Sequence, residues 1–224
     1  YALMNLERKG FKNQKEAAKY FKLAADRGHV VSMYNYAILA QFGNGIRLDW
    51  QEAAKYFKLA ADRGYSDAMY EYAIMAENGK GIEMNYLEAL KYYKLAAEKG
   101  NVDSMYLYAF MNHKGKGVVQ DKAEALKYFK LAAERVHTDA MVVYASLRRI
   151  GEGAEIDKKE AAKYFKIAAD RRKLQGVLCY AYMCRFGEGI ETNKKEAAKY
   201  YKIGGDLGDI DSLFAYAVML FEGE

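Results

Sequence analysis

The chain has no proline, only 2 cysteines and only 3 histidines in 224 residues. Proline restricts φ and interrupts helices, so its absence favours long helices over a strand-and-turn protein. Metal sites of the His or Cys type need several ligands that converge on one ion, and no two histidines are spaced i,i+4, so no metal or other cofactor is expected. No apolar run approaches the roughly 18 residues that a membrane-spanning helix needs.

Charge is balanced along the chain. The 35 Lys and Arg exceed the 30 Asp and Glu by only five, and both signs are interleaved. The sequence therefore lacks the basic face that is typical of nucleic-acid binding. With 52% hydrophobic and 29% charged residues, the chain has enough apolar side chains for a folded core and too many for intrinsic disorder.

One segment recurs along the whole chain. The sequence Glu-Ala-Ala-Lys-Tyr-Phe-Lys-Leu-Ala-Ala-Asp begins at Glu16, and related copies follow at steps of 36 residues, at Glu52, Glu88, Glu124, Glu160 and Glu196. A Tyr-Ala pair keeps the same period, at Tyr36, Tyr72, Tyr108, Tyr144, Tyr180 and Tyr216. A Gly-x-Gly motif also keeps it, for example at Gly43 and Gly45. Three markers in register establish a repeat array.

Each period predicts two helices. The first helix extends roughly from Ser32 to Phe42 in its copy and stops at the Gly-x-Gly turn. The second helix begins at an Asp or Asn that precedes a Glu by three residues, which is the capping-box pattern. These cap positions are Asn13, Asp49, Asn85, Asp121, Asp157 and Asn193. Glycine ends most second helices as a residue that tolerates positive φ, and Val136 and Arg172 replace it in two repeats.

A helix pair of this size cannot bury its apolar stripe alone, so neighbouring repeats are expected to stack on one elongated core. The combined motif, Tyr-Ala, then Gly-x-Gly-Ile/Val, then Glu-Ala-x-Lys-Tyr-Phe-Lys-x-Ala-Ala-Asp/Glu-x-Gly, resembles the Sel-one-like repeat (SLR), a relative of the tetratricopeptide repeat. The resemblance implies an all-α fold, a right-handed α/α superhelical solenoid of 36-residue helix-turn-helix repeats. It covers residues 1–224 as a single solenoid with five full repeats and a partial repeat at each end, and we expect a piece of a longer protein.

The resemblance also implies that the first helices line a concave groove. First-helix positions that vary between repeats follow 3-4-3 spacing and so lie on one helical face. Its two middle rows are apolar or aromatic, and its outer rows change from acidic to basic along the chain. Such a surface suits recognition of a peptide or helix from a protein partner. The candidate binding residues are Tyr34, Tyr70, Ile74, Tyr106, Phe110, Tyr182, Arg149 and Arg185. Alternatively, the apolar side chains complete the packing between adjacent first helices.

A non-enzymatic scaffold or adaptor is therefore the predicted function, with Arg185 as a clamp for an acidic residue. The alternative is a structural component of a large cytoskeletal or envelope assembly that docks through the Lys pairs of the second helices, such as Lys55 and Lys58. Nearby Glu and Asp weaken that field, so these lysines are more simply a solvated face. A denser basic group is a further candidate for electrostatic docking: Arg148, Lys158, Lys159, Arg171, Arg172 and Lys173, beside Arg149.

Enzymatic chemistry finds no support in the sequence. Some disulfide-rich SLR proteins have been described as penicillin-binding or β-lactamase-like, and that chemistry requires Ser-x-x-Lys. No serine here has a Lys three residues later, and the Gly-x-Gly turns lack the Lys-Ser/Thr of a phosphate loop. Neither an enzyme nor a small-molecule substrate is expected. Cys179 and Cys184 lie five positions apart on one helix, outside disulfide geometry, and with the absence of an Asn-x-Ser/Thr sequon they favour the cytoplasm.

Overall fold

The computed structural model describes residues 14–223. The described residues form helices of 13 residues each, and no strand occurs among them. The helices are α1 (Gln14–Asp26), α2 (Val30–Phe42), α3 (Trp50–Asp62), α4 (Ser66–Asn78), α5 (Tyr86–Glu98), α6 (Val102–Lys114), α7 (Lys122–Glu134), α8 (Thr138–Ile150), α9 (Lys158–Asp170), α10 (Leu174–Phe186), α11 (Lys194–Asp206) and α12 (Ile210–Glu222). Even-numbered helices are the first helices of the repeats and odd-numbered ones the second, which confirms the predicted all-α repeat.

The second helices begin at the predicted caps. The Asp49 carboxylate accepts a hydrogen bond of 2.9 Å from the Glu52 N–H, and the cap side chain of every later second helix does the same. The other half of the capping box is not formed at this helix, because the Asp49 N–H donates to the Ala40 carbonyl at 2.9 Å. The Glu52 carboxylate is thereby available to the preceding repeat. The predicted cap Asn13 and the residues of the chain before it, within the N-terminal partial repeat, lie outside the described residues.

Two of the three histidines have a structural role. His29 Nδ1 accepts a hydrogen bond of 3.2 Å from the Ser32 N–H at the start of α2, and His137 Nδ1 accepts one of 3.1 Å from the Ala140 N–H at the start of α8. Side chains that accept from the first N–H groups of a helix satisfy donors that have no partner within the helix. These histidines therefore cap first helices.

The Gly-x-Gly turn depends on two properties of glycine. Gly81 has φ of +74°, in the left-handed region that residues with a Cβ rarely adopt. A Cβ at Gly81 would also collide with the main-chain carbonyl of Trp50, at the start of the preceding second helix. The second glycine of the motif is thus required both for the turn and for the close contact between the turn and α3.

Contacts divide the chain into two compact units. Unit 1 comprises Tyr1–Met111 and Gly115–Val119, and unit 2 comprises Asn112–Lys114 and Gln120–Glu224. Within unit 1 each helix from α1 to α5 packs against the next, and within unit 2 the same holds from α7 to α12. Phe57 and Tyr93 are fully buried in unit 1, and Phe129 and Phe165 are fully buried in unit 2, beside alanines that let the helices approach. The expectation of one solenoid over 1–224 stays a prediction.

The Gly204-Gly205 pair lies within α11, which continues through it to Asp206. A Cβ at Gly204 would meet the Ser212 side chain, and a Cβ at Gly205 would meet the Leu213 side chain, both on α12. The two glycines therefore allow α11 and α12 to approach closely. This close approach is a packing reason for the Gly204-Gly205 pair.

Candidate functional site

Within each unit, one lysine of a second-helix pair connects successive repeats. In unit 1, Lys22 Nζ lies 2.8 Å from Glu52 Oε1 and 2.9 Å from the Tyr56 hydroxyl, both on the next second helix, and 4.8 Å from the centre of the Tyr36 ring. Lys58 repeats the arrangement with Glu88 at 3.3 Å and the Tyr92 hydroxyl at 2.7 Å. In unit 2, Lys166 lies 3.2 Å from the Tyr200 hydroxyl and 3.8 Å from Glu196. These lysines stabilise the stacking of repeats.

The tyrosine in this network also donates to a carboxylate. The Tyr92 hydroxyl lies 2.5 Å from Asp62 Oδ1, and the Tyr56 hydroxyl donates to Asp26 in the same way. Burial, and then the hydrogen bond to Asp62, raise the pKa of Tyr92, so this phenol stays neutral and can donate. The other lysine of most pairs, such as Lys55, is exposed and lies over the ring of the following tyrosine, at 5.4 Å from the Tyr56 centroid in that case. Only this second set has the character of a solvated face.

Three members of the dense basic group form ion pairs with carboxylates of unit 2. Arg148, with only 16% of its side chain exposed, contacts Asp157 at 3.1 Å and Glu160 at 2.9 Å. Lys158 lies 3.1 Å from Glu188, and Lys173 pairs with Asp139. Lys159, Arg171 and Arg172 are exposed to solvent, and Arg172 has a positive φ of +59°. The electrostatic docking site stays a prediction, and these three residues are its exposed members outside the ion pairs described above.

The outer, charged row of the first helices is paired with the Gly-x-Gly turns. Glu77 of α4 accepts a hydrogen bond of 2.8 Å from Lys116, the middle residue of a turn in the same unit. In unit 2, Arg149 donates to Glu188, the middle residue of the turn after α10, at 2.6 Å. Each pair spans 39 positions in the chain. The change from acidic to basic along this row is therefore matched by an opposite change along the turns.

Six side chains form what we call the tyrosine face of unit 1: Tyr34 and Ile38 of α2, Tyr70 and Ile74 of α4, and Tyr106 and Phe110 of α6. The Tyr34 ring packs against Phe57 at 5.7 Å and Tyr65 at 5.1 Å between centroids. Burial raises the pKa of Tyr34 to about 12, with the nearby Glu71 and Asp67 charges adding to the effect.

The other aromatic members of the tyrosine face also contact neighbouring rings. The Tyr70 ring lies 6.3 Å from the buried Tyr93 ring, and the Tyr106 and Phe110 rings are 6.4 Å apart. Phe110 keeps 38% of its surface exposed, and the other five members are partly exposed. Tyr34 and Tyr70 thus pack against the following second helices and stay partly exposed at the same time, which combines the two interpretations that the sequence left open.

In unit 2 the corresponding residues form a smaller group. Tyr182 is 44% exposed, packs on Phe186 at 4.6 Å, and carries the Arg149 guanidinium 5.2 Å from its ring centroid. Arg185 lies 3.3 Å from the Glu222 carboxylate. Both arginines thus have a carboxylate within the chain, and their predicted role in partner binding stays a prediction.

Sequence reasoning missed two kinds of residue. Glu71 of α4 lies beside the tyrosine face, but its position is occupied by unrelated residues in other repeats, so no periodic signal marked it. Lys116 and Glu188 were treated only as turn residues. A comparison of charges 39 positions apart would have found them, since Glu77 with Lys116 and Arg149 with Glu188 are opposite in sign. Among residues 14–223, no group of His, Cys, Asp and Glu could hold a metal ion. No helix of that range is long and apolar enough to span a membrane.

Comparison with known proteins agrees with this architecture. A structure of a protective antigen from uropathogenic Escherichia coli with an SLR fold superimposes with a TM-score of 0.94 at 23% identity, over 100% of this chain and 48% of that one. A Sel1 repeat protein from Oxalobacter formigenes gives a TM-score of 0.86 at 23% identity, over 96% of this chain and 88% of that one. The present chain thus spans about half the length of the E. coli protein.

No curated protein matches the sequence. The family model for the Sel1 repeat matches residues 1–29, 30–65, 66–101, 102–137, 138–172 and 178–209. These matches cover most of the chain and follow the helix pairs described above, so the resemblance seen in the repeated motif is confirmed. The chain belongs to the Sel1 repeat family.

Proposed function

We propose that this chain is a scaffold that binds a segment of a protein partner on the tyrosine face of unit 1. Sel1 repeat proteins are typically protein-interaction scaffolds. The observation that carries the proposal is a row of tyrosines, one on each of three first helices, each partly exposed and each in contact with another aromatic ring. Large aromatic side chains that are already ordered lose little conformational entropy on binding, which is why such residues dominate the affinity of many interfaces.

The apolar row beside the tyrosines supports the same function. Ile38, Ile74 and Phe110 follow the tyrosines at a spacing of four residues, so each helix presents two neighbouring contacts. An extended peptide or an amphipathic helix could contact all three helices through alternating apolar side chains. The Lys network of the second helices supports docking less well, since Lys22, Lys58 and Lys166 are already engaged within the chain.

Selection of 12-residue peptides from a random display library against the whole chain tests the proposal. The selected peptides are then labelled with fluorescein, and their affinities are measured by anisotropy for the wild type and for Tyr70→Ala, Tyr106→Ala and Tyr20→Ala. Tyr20 is a matched control, because it is 47% exposed on α1, a second helix outside the tyrosine face. We expect at least a tenfold loss for Tyr70→Ala and Tyr106→Ala, and an unchanged affinity for Tyr20→Ala.

Melting temperatures separate binding from stability in this experiment. The proposal is supported if the Tyr70→Ala and Tyr106→Ala proteins melt within a few degrees of the wild type and still lose the peptides. It is wrong if the peptides bind these variants as well as the wild type, or if Tyr20→Ala weakens binding equally. A large fall in melting temperature for both variants would assign Tyr70 and Tyr106 to the core rather than to a binding surface.

A further inference from the structure

Glu71 is a partly buried carboxylate that has no counter-charge among residues 14–223. It lies on α4 next to Tyr70, and among the described residues no Lys, Arg or His pairs with it and no side chain donates to it. Its pKa is raised, first by burial and then by the negative charge of Asp67. Among residues 14–223, Asp67 itself accepts only a long hydrogen bond of 3.3 Å, from the neutral Asn101 amide. A carboxylate that has lost part of its hydration without gaining a nearby cation is destabilised in its charged form, and a cation from a partner would stabilise it.

Tyrosine rings lie close to this part of α4. Tyr70 precedes Glu71 on the helix, and its ring lies 6.3 Å from the Tyr93 ring, while the Tyr34 ring lies 5.1 Å from the ring of Tyr65, just before α4. The Glu71 charge adds to the raised pKa of Tyr34, Tyr70 and Tyr93, which belong to two neighbouring repeats. The faces of tyrosine rings attract cations, and Arg binds them more often than Lys. Elsewhere in unit 1, lysines of the chain form such cation–π contacts: Lys22 Nζ lies 4.8 Å from the Tyr36 ring centroid, and Lys58 Nζ lies 5.0 Å from the Tyr72 ring centroid.

The tyrosines near Glu71 have no such cation from the described part of the chain. Within residues 14–223, no Lys or Arg lies over the rings of Tyr34, Tyr65 or Tyr70. These rings and the Glu71 carboxylate therefore offer both of the contacts that a guanidinium group makes, a charged hydrogen bond and a ring face. Residues 14–223 supply neither partner.

We propose that Glu71, together with the rings of Tyr34 and Tyr70, binds an Arg or Lys side chain from a basic, partly apolar segment of the protein partner. This inference rests on the proposed function, because it names the chemistry of the segment that the tyrosine face receives. The cation occupies the position beside Glu71, and apolar side chains of the same segment contact Ile38, Ile74 and Phe110. Acidic segments are disfavoured there by Asp67 and Glu71.

The positive net charge of the chain does not oppose this binding. The excess of +5 includes many lysines on the second helices, where Lys22 and Lys58 already contact carboxylates of the next repeat. Charges farther apart than about 8 Å are largely screened at physiological ionic strength. The local charge beside the tyrosine face, set by Asp67 and Glu71, therefore determines the preference.

Three fluorescein-labelled 12-residue peptides test the inference, with leucine at alternate positions and Arg, Ser or Glu between them. Anisotropy titrations use the whole chain as wild type, Glu71→Gln and Glu83→Gln. Gln has nearly the shape of Glu, so Glu71→Gln removes the charge and keeps the packing. Glu83→Gln is the matched control, because Glu83 is an exposed carboxylate in the turn before α5. A charged hydrogen bond together with a cation–π contact predicts that the Arg peptide binds about tenfold more tightly than the Ser peptide.

Glu71→Gln should reduce this preference to threefold or less, and Glu83→Gln should leave it unchanged. The inference is overturned if the Ser peptide binds as tightly as the Arg peptide, or if the preference survives in Glu71→Gln. Equal loss in Glu83→Gln also overturns it, since the effect would then come from general charge. If peptides from the display selection bind the tyrosine face while the Arg peptide has no advantage, the proposed function stands and only this inference is wrong.

Discussion

Arg149 of α8 and Glu188 of the turn after α10 are joined by two hydrogen bonds, of 3.0 Å from Nε and 2.6 Å from an Nη nitrogen. Lys158 lies 3.1 Å from the same carboxylate, so Glu188 connects two helices of unit 2 to a turn. Hydrogen bonds from Arg149, and then the one from Lys158, lower the pKa of Glu188 despite the opposing effect of burial. The Arg149–Glu188 pair therefore stabilises the folded state, whether or not Arg149 also contacts a partner.

A double-mutant cycle with Arg149→Gln and Glu188→Gln should give a coupling energy of about 1 to 2 kcal/mol at pH 7, measured by urea unfolding. Glu188 has a lower pKa in the folded state than in the unfolded state. Its contribution is then fully present above the ordinary glutamate pKa of 4.5 and is lost as the pH falls through the lower, folded value. The coupling should accordingly disappear in strongly acidic solution. A coupling near zero at pH 7 would contradict the assignment.

The pairing of Arg149 with Glu188 illustrates what the sequence can and cannot predict. Periodic positions, such as the cap Asp49 and the turn residue Gly81, were identified because every repeat needs the same backbone geometry there. Partners of single charges could not be identified in that way, since Glu71 and Arg149 occur in only some of the repeats at their positions. Which carboxylate an arginine reaches depends on the distance between repeats, and only the structure supplies that distance.

The two lysines of a second helix should differ in their effect on stability. Lys58 donates to the Tyr92 hydroxyl at 2.7 Å and to Glu88 at 3.3 Å, whereas Lys55 contacts only a ring face among the described residues. Lys58→Met should lower the free energy of unfolding by about 1 kcal/mol, a value limited by its partial exposure to solvent. Lys55→Met should stay within about 0.5 kcal/mol of the wild type.

Salt provides the check on this difference between the lysines. If the Lys58 contacts bridge repeats through partly buried hydrogen bonds, the loss in Lys58→Met should persist at high ionic strength, because the bond to the Tyr92 hydroxyl is less screened than an exposed ion pair. Thermal unfolding at low and high NaCl measures this. Equal stabilities of Lys55→Met and Lys58→Met would show that the cross-repeat network contributes nothing.

Val136 and Arg172 occupy turns in which the other repeats have glycine. Their φ values are +73° and +59°, in the region where a Cβ costs about 1 to 2 kcal/mol. Glycine removes this strain but makes the unfolded chain more flexible, which offsets part of the gain. Val136→Gly and Arg172→Gly should therefore each stabilise the protein by about 0.5 to 1 kcal/mol.

The neighbouring residue Arg135 serves as the control for the turn at Val136. It has an ordinary φ of −93°, so Arg135→Gly should destabilise the protein. Chemical denaturation of both variants gives the comparison directly. If Val136→Gly and Arg135→Gly lower the stability equally, the left-handed conformation of Val136 is not strained.

The second glycine of the Gly-x-Gly turn should be more sensitive to substitution than the glycine after a second helix. Gly81 and Gly100 both have positive φ, of +74° and +94°, so alanine is strained at either position. A Cβ at Gly100 meets no heavy atom within 4 Å, but at Gly81 it collides with the Trp50 carbonyl. Gly100→Ala should therefore cost about 1 kcal/mol, the strain alone.

Gly81→Ala should cost at least about 1 to 3 kcal/mol more, since the turn must move away from the start of α3 or leave main-chain groups without partners. Urea unfolding of both variants measures the difference, and far-UV circular dichroism confirms that each remains helical. Equal costs for Gly81→Ala and Gly100→Ala would mean that positive φ alone explains the motif. A larger cost at Gly81 would show that contact between the turn and the preceding second helix fixes how one repeat stacks on the next.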